Sequence, residues 1–522
     1  MAIHLLERTQ RNVVAWLGGE PAPETLARFS DRGAVLSKLE QSRRHEASYL
    51  GNLAALIVVL DVSQKLIQTL DVLDDVSRDV LDHGADIVVL ASAQEVDRLI
   101  EIVRKYHLPI NGLPSGIQVE WQDVKAQQSS PAMWFFERGT PWLQIAELVV
   151  KCAPSERANL SLKLTGDPVD DEHGRLIRRA FADVAYTCAH ITALPSGYSG
   201  SIALKVQAER AAAKPMPYFV KIGKREDTID EYNAYLIGVE PYIPYHLAPP
   251  LLKDLCCLGA SKGILVEHYV TESENLISCA EGGRAVSAIA CLFSRTLNAW
   301  HRSTCDKPLV DFVLRMIPSN VDSGVLARAK SVGDPLGIDV LRERLAALVK
   351  GITVSYGRIH GDLHGGNIRV RGNDAIIIDM EKHSDGPLLW DPACLEASLL
   401  IEGFQDDCRD AAKWYQSILS CYDGVLYDFW SHGHLTDMSS WFHVAINQIR
   451  LYAHAMERKD GEYAATLASA LLWKASKAVA RSDMPGGGAS REREECRRGV
   501  AYLIAQGLIS SLDQAVKPPP KC

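Results

Sequence analysis

No apolar run in this 522-residue chain is long enough to cross a bilayer. A membrane helix needs roughly 20 consecutive apolar residues, and segments such as Ala54 to Leu60 (AALIVVL) are only strand-sized. The first residues, MAIHLLERTQRNVVAWLGG, place charges before any run reaches signal-peptide length. A cytoplasmic protein with no membrane partner is expected. An excess of basic charge is also missing: the net charge is -9. That argues against a nucleic acid held on a broad basic surface. Twelve cysteines are scattered, with only Cys256 and Cys257 adjacent. There is no CxxC pair matched by a second, so a zinc site is not expected. No internal repeat is visible. Composition is otherwise that of a globular protein, 47% hydrophobic and 23% charged. At roughly 150 residues per domain, the length suggests two to four domains.

Residues 1–125 alternate strand and helix signals. Strands are expected in RNVVAWLGG, AVLSKL, AALIVVLDVS and DIVVLAS. Helices are expected in PETLARFSDRG, in KLIQTLDVLDDVSRDVLDHGA with Gly84 as its stop, and in AQEVDRLIEIVRKYHL. PINGLP ends the series. This alternation implies a parallel, doubly wound α/β sheet with helices on both faces. Residues 126–175 read as a connector or an extra layer, with a strand-bearing segment at ANLSLKLTGDP. DMPGGGASREREE, 483–495, reads as an exposed loop between two helices, and VKPPPKC as an extended tail.

The chemistry is concentrated in RIHGDLHGGNIRVRGNDAIIIDMEKHSDGPLLWDPACLEASLL, which begins at Arg358. Asp362 precedes Asn367 by five residues. Asn367 leads into a short strand, a Gly372-Asn373 turn and a returning strand that ends at Asp379. Such a hairpin brings Asp379 back beside Asn367. One carboxylate to orient an attacking hydroxyl, plus an amide and a second carboxylate to hold magnesium, is what phosphoryl transfer requires.

HGDLHGGNI followed by IIID resembles the aminoglycoside phosphotransferase and choline kinase branch of the protein-kinase-like superfamily. His360, Gly361, Asp362, His364, Asn367 and Asp379 match its pattern. The resemblance implies Asp362 as catalytic base, and Asn367 and Asp379 as magnesium ligands. His360 is expected to be structural. His364 is open to substrate contact or packing. Asp379 is followed by Met-Glu rather than Phe-Gly, which suits the small-molecule branch. Asp391 matches an aspartate that buttresses the catalytic loop.

The resemblance implies a two-lobed α+β domain, with a small lobe over about 176–270 and a helical lobe over 271–522. HITALPSGYSGSIALKVQAER fits a strand, a phosphate-binding turn with Gly197, Ser199 and Gly200, and a second strand. Lys221, in PYFVKIG, is expected to hold the nucleotide phosphates and to pair with Glu231; Lys224 and Glu226 are the fallbacks. GILVEHYV would present backbone groups of Glu267 to Tyr269 to the nucleotide base.

The activity implied is transfer of the γ-phosphate of ATP (or GTP), with magnesium, to a small hydroxyl-bearing acceptor. Glu402, Asp406, Asp407 and Asp410 could attract a cationic acceptor or form a solvated helix face. The N-terminal segment resembles a receiver domain. Asp61 occupies the position of the phosphorylated aspartate and Ser92 follows the fourth strand. The acidic pair after the first strand is replaced by Trp16-Leu17-Gly18-Gly19, and no lysine closes the fifth strand. A pseudo-receiver that docks a protein partner is therefore expected. That fusion keeps two other readings open: a protein-directed kinase, and a weakly catalytic nucleotide-binding regulator in a bacterial signalling or conflict system.

Overall fold

The computed structural model describes residues 13–17, 35–39, 53–59, 66–91, 110–111, 133–137, 158–194, 200–210, 213–259, 261–302, 304–402, 441–477 and 487–516, with a few isolated positions between them. The chain divides into two units. The first comprises 1–232 and 251–269, the second 233–250 and 270–522.

The first unit holds two six-stranded sheets. One is parallel throughout, with strands β1 (Val13–Leu17), β2 (Val35–Lys38), β3 (Leu53–Val59), β4 (Asp86–Ala91), β5 (Ile110–Asn111) and β6 (Met133–Glu137) in the order β2-β1-β3-β4-β6-β5. β3 and β4 are continuous apolar runs because their residues are buried on alternating sides alike. The helix Leu66–Asp82 turns Leu70, Leu73 and Val80 into this core, and Gly84, at φ 82°, ends it.

β6 comes from the stretch read as a connector. It pairs with β4 on one side and β5 on the other. Its five residues, MWFFE, stand between the turn-forming SSP and GTP, but such flanks mark a strand's ends and not its place in the order. Of the helical layers expected on both faces, Leu66–Asp82 is described. The helices in PETLARFSDRG and AQEVDRLIEIVRKYHL, together with Asp61 and Ser92, lie outside the described residues.

The second sheet runs β11 (Cys257–Leu258), β12 (Lys262–His268), β10 (Met216–Lys224), β9 (Ile202–Arg210), β8 (Tyr186–Ala193), β7 (Lys163–Gly166). It is antiparallel except for the β7–β8 pair. The helix Asp171–Ala180 precedes β8. Asp170 caps it by accepting from His173 N, and acidic residues open it while Arg178 and Arg179 close it, matching the helix dipole.

This helix ties the two sheets together. Arg175 Nη2 is 2.8 Å from Asp82 Oδ2, and Arg78 Nη2 is 2.8 Å from Glu172 Oε2. Arg179, fully buried, donates to the carbonyls of Asp82 at 3.1 Å and Leu258 at 2.8 Å. A buried guanidinium needs such partners.

The second unit has two three-stranded sheets. One joins β13 (Glu274–Asn275), β16 (Ile368–Arg371) and β17 (Asp374–Ile377). The other joins β14 (Cys305–Pro308), β15 (Thr353–Ile359) and β18 (Ser384–Pro387). Beside them Trp390–Glu402 packs against the helices Trp441–Met456, Glu462–Ser476 and Gly487–Val516. Glu462–Ser476 is apolar nearly all round and correspondingly buried.

Gly487–Val516 corrects an expectation, since helix replaces the loop read across 487–495. Arg491 pairs with Glu495 at 2.8 Å and Arg498 with Glu494, both at i,i+4 spacing, and Cys496 and Val500 are buried. Charge patterning outweighs the two glycines, Gly487 and Gly488, that open the helix. Residues 517–522 lie outside the described residues. No helix among the described residues is long and apolar enough to cross a membrane.

Candidate active site

β15 delivers the chain to the loop 360–367, and that loop is held by its main chain. Asp391 is fully buried at the start of Trp390–Glu402. It accepts from His360 N at 2.8 Å and Gly361 N at 3.1 Å. Burial pushes its carboxyl up, opposed by His360 and by those two amide donors. Trp390 Nε1 donates to Gly361 O at 2.9 Å. Gly361 has φ +83°, and a Cβ there would run into the Lys382 carbonyl. The loop therefore requires glycine between His360 and Asp362.

His360 is wholly buried and donates through Nε2 to Ile378 O at 3.0 Å, tying the loop to the chain just before Asp379. His364 accepts from Gly366 N at 3.2 Å and caps the short turn Gly365–Asn367.

Asn367 is nearly buried. Its Nδ2 donates to Asp362 O at 3.2 Å, which leaves Oδ1 as the side chain's acceptor. β16 and β17 pair from Ile368↔Ile377 to Arg371↔Asp374 around the Gly372-Asn373 turn. Ile378 N then donates to Asn367 O at 3.0 Å. The next residue is Asp379, at φ 61°, a left-handed conformation that aspartate tolerates better than most side chains. Such conformations concentrate at functional sites. Asp362, Asn367 and Asp379 are thus on one constrained loop-and-hairpin. An amide oxygen and a carboxylate are the hard donors that suit magnesium, so the residues fit that ion.

The Asp362 carboxylate has two partners from far along the chain. Lys474 Nζ is 2.9 Å from Oδ1 and Lys477 Nζ is 2.6 Å from Oδ2. Burial alone would push the Asp362 carboxyl up. Lys474, then Lys477, outweigh it and hold the carboxyl well below the usual carboxylate range. Lys477 is itself lowered, first by burial and then by Lys474, against the pull of Asp362. Lys474 lies at the end of the helix Glu462–Ser476, one turn before Lys477. Neither lysine was singled out in the sequence. The available signal was two lysines three apart, WKASK, closing an otherwise apolar helix.

In the first unit, Lys221 lies within β10, opposite Ala203 of β9 and Leu265 of β12. Its Nζ is 2.9 Å from Glu231 Oε2, in the helix Arg225–Ala234, and both side chains are almost fully buried. Lys224 closes the strand and Glu226 lies in the first turn of that helix. Gly200 has φ +74° at the entry to β9, whereas Gly197 and Ser199 lie outside the described residues.

Tyr269 N–H donates to Pro217 O at 3.3 Å. Glu267 lies opposite Phe219 in the sheet and bridges to Leu251 on its other side. The Glu402 side chain and Asp406, Asp407 and Asp410 lie outside the described residues.

No family model matches the chain, and no curated protein matches it. Among solved structures it is similar to a thermostable mutant of aminoglycoside phosphotransferase APH(4)-Ia, with 10% identity and a TM-score of 0.37 over 62% of this chain and 94% of that one. A glucosamine kinase in complex with glucosamine, ADP and inorganic phosphate gives 12% identity and a TM-score of 0.37, over 67% and 89%. APH(3'')-Id from Streptomyces rimosus gives 15% and 0.30, over 54% and 99%.

Proposed function

We propose that this chain is a magnesium-dependent phosphotransferase that moves the γ-phosphate of ATP or GTP to a hydroxyl group of a small molecule. The observation that supports it most is the coupling of Asp362, Asn367 and Asp379 through the Asn367–Asp362 and Ile378–Asn367 hydrogen bonds. Asn367 Oδ1 and the Asp379 carboxylate would hold magnesium, whose chemistry there is to neutralise charge on the phosphate oxygens. The buried Lys221 ammonium, fixed by Glu231, is suited to the nucleotide phosphates.

Asp362 receives the acceptor's O–H. The acceptor oxygen bonds to the γ-phosphorus as the bond to the bridging oxygen breaks. The nucleoside diphosphate leaves with that electron pair, and the acceptor proton passes to Asp362. With two ammonium partners, Asp362 is a weak base. That suits a loose phosphoryl transition state, in which orienting the nucleophile matters more than early deprotonation.

The test is calorimetric titration of the full chain with Mg·ATP and Mg·GTP, beside Asp379→Ala, followed by γ-phosphate transfer measured for Asp362→Asn. The expected result is magnesium-dependent binding that Asp379→Ala abolishes. Transfer should fall about 100-fold or more in Asp362→Asn, the usual scale for a positioned acid–base group. Absence of binding to either nucleotide would overturn the reading.

A further inference from the structure

We propose that Arg78, on the helix Leu66–Asp82 beside the parallel sheet, is a positioning residue for Glu231, so that the parallel-sheet part of the first unit sets the affinity of the nucleotide site. The inference takes its ligand from the phosphotransferase reading and adds a control of that site.

The first reason is a continuous chain of hydrogen bonds. Arg78 Nη2 lies 2.8 Å from Glu172 Oε2. Ser261 Oγ donates to the other oxygen of Glu172, Oε1, at 2.6 Å. The Ser261 carbonyl accepts from Arg225 N at 3.0 Å. Arg225 is the first residue of the helix Arg225–Ala234, which carries Glu231 to Lys221. A helix turn is a stiff element, so a shift at Arg225 is felt at Glu231, six residues and under two turns on. The salt bridge between Arg175 and Asp82 already joins the two sheets. The Glu172–Ser261–Arg225 branch runs on past that joint to the lysine of the nucleotide site.

The second reason is how the helix Arg225–Ala234 is held. Its buried residues are Arg225, Thr228 and Glu231, three apart along one face, and none is apolar. Ile229, Tyr232 and Ala234 are only half-buried. Thr228 Oγ1 donates to Lys224 O at 2.8 Å, within its own turn. Apolar burial, which holds most helices in place, is small here. The polar contacts at its first residue therefore weigh heavily in where the helix lies.

The third reason is Arg225 itself. A guanidinium at a helix N-terminus faces the positive end of the dipole, and burial adds to the cost. Arg225 is 5% exposed. Its Nη1 donates to Gly259 O at 2.6 Å, next to the Leu258 carbonyl that Arg179 joins to Asp82 O. Burial, then Arg179, push Arg225 down to about 10, against the pull of Asp86 at the start of β4. The residues linking β11 to β12 are thus gripped from the parallel-sheet side and from the helix that bears Glu231.

Arg78 is the place to test this. Glu172 also meets Lys262 Nζ at 3.6 Å, so it keeps a cation when Arg78 is removed. Arg78 Nε lies 3.8 Å from Asp82 Oδ2, which Arg175 also holds. Arg210 serves as the control. Like Arg78 it is 49% exposed and faces a carboxylate, Asp183 at 3.4 Å, but that pair has no hydrogen bond to Glu172 or Ser261.

The experiment uses the full chain. Mg·ATP is titrated by calorimetry into wild type, Arg78→Met, Arg78→Lys, Ser261→Ala, Arg210→Met, Glu231→Ala and the double variant Arg78→Met/Glu231→Ala. Amide hydrogen exchange across 226–234 is followed in the same proteins without nucleotide. Ser261→Ala and Arg78→Met should each weaken Mg·ATP about threefold or more and speed exchange in the helix. Arg78→Lys should restore most of the affinity, and Arg210→Met should change it by less than about 1.5-fold. With Glu231→Ala in place, Arg78→Met should cost little more, because the group it positions is gone. The proposal is overturned if Arg78→Met changes neither affinity nor exchange, if Arg210→Met acts as strongly, or if the losses from Arg78→Met and Glu231→Ala simply add. A wild-type chain that binds no nucleotide would remove the phosphotransferase reading and leave exchange to decide: faster exchange in Arg78→Met keeps the positioning role, and unchanged exchange removes it.

Discussion

Arg450→Met should be among the most damaging single changes in the second unit. Glu396 is completely buried on the helix that carries Asp391, and Arg450 is the cation that compensates it. Arg450 Nη2 is 2.6 Å from Glu396 Oε1, with Nε at 3.1 and 3.2 Å from the two oxygens, and Tyr463 Oη donates to Oε2 at 2.8 Å. Burial alone would lower the Arg450 pKa; Glu396 outweighs it and holds it above its ordinary value. Removing the arginine leaves a buried carboxylate with one hydroxyl donor. Breaking such a pair costs about 3–5 kcal/mol. For a unit of this size that corresponds to a fall in Tm of roughly 6–20 °C, at roughly 2–4 °C per kcal/mol.

The double variant Arg450→Met/Glu396→Leu removes both charges and should recover most of the loss. Tyr463 Oη then lacks its acceptor, which costs about 1–3 kcal/mol. Thermal and urea unfolding of the wild type, the single and the double variants check this. The reasoning fails if Arg450→Met lies within about 1 kcal/mol of wild type, or if the double variant is no more stable than the single.

Three further outcomes are expected. Gly361→Ala forces an alanine into φ +83° and sets its Cβ against the Lys382 carbonyl, so Tm should fall by an amount corresponding to about 1–3 kcal/mol, and γ-phosphate transfer should be lost as the loop leaves Asp391. His83, His301 and His383 are each lowered to about 4, in each case chiefly by burial. They fold neutral, and between pH 6.5 and 4 the unfolded chain binds more protons. Stability is therefore full above about pH 6.5 and falls as the pH drops towards 4, by up to about 3 kcal/mol for each histidine. Tm measured from pH 7 to 4.5 should show the decline, and His301→Gln should flatten it; a constant Tm would refute the assignment. Lys221→Met removes the ammonium 2.9 Å from Glu231 and should weaken Mg·ATP binding about tenfold or more by calorimetry, and an unchanged affinity would remove Lys221 from the nucleotide site.

The features legible in the sequence are those made over short stretches of chain. Asp362 and Asn367 are five residues apart, and the short strands IRVR and DAII on either side of Gly372-Asn373 have few ways to pair other than the observed hairpin. Lys221 and Glu231 meet because a strand ends and a helix begins between them. Asp391 was expected to buttress the loop, and its hydrogen bonds to His360 and Gly361 do so.

What only the tertiary structure decided involves partners far apart in the chain. Lys474 and Lys477 reach Asp362 across 112 and 115 residues, and no spacing rule encodes such a meeting. β6 takes its place between β4 and β5 because a parallel strand can return to any open edge, so order along the chain does not fix order in the sheet. Arg179 is buried between the Asp82 and Leu258 carbonyls, although its own helix offers no sign that two sheets meet there. Local backbone geometry thus fixes the 360–367 loop and the Lys221–Glu231 ion pair. The charge placed around the loop comes from which distant helix the core packs against it.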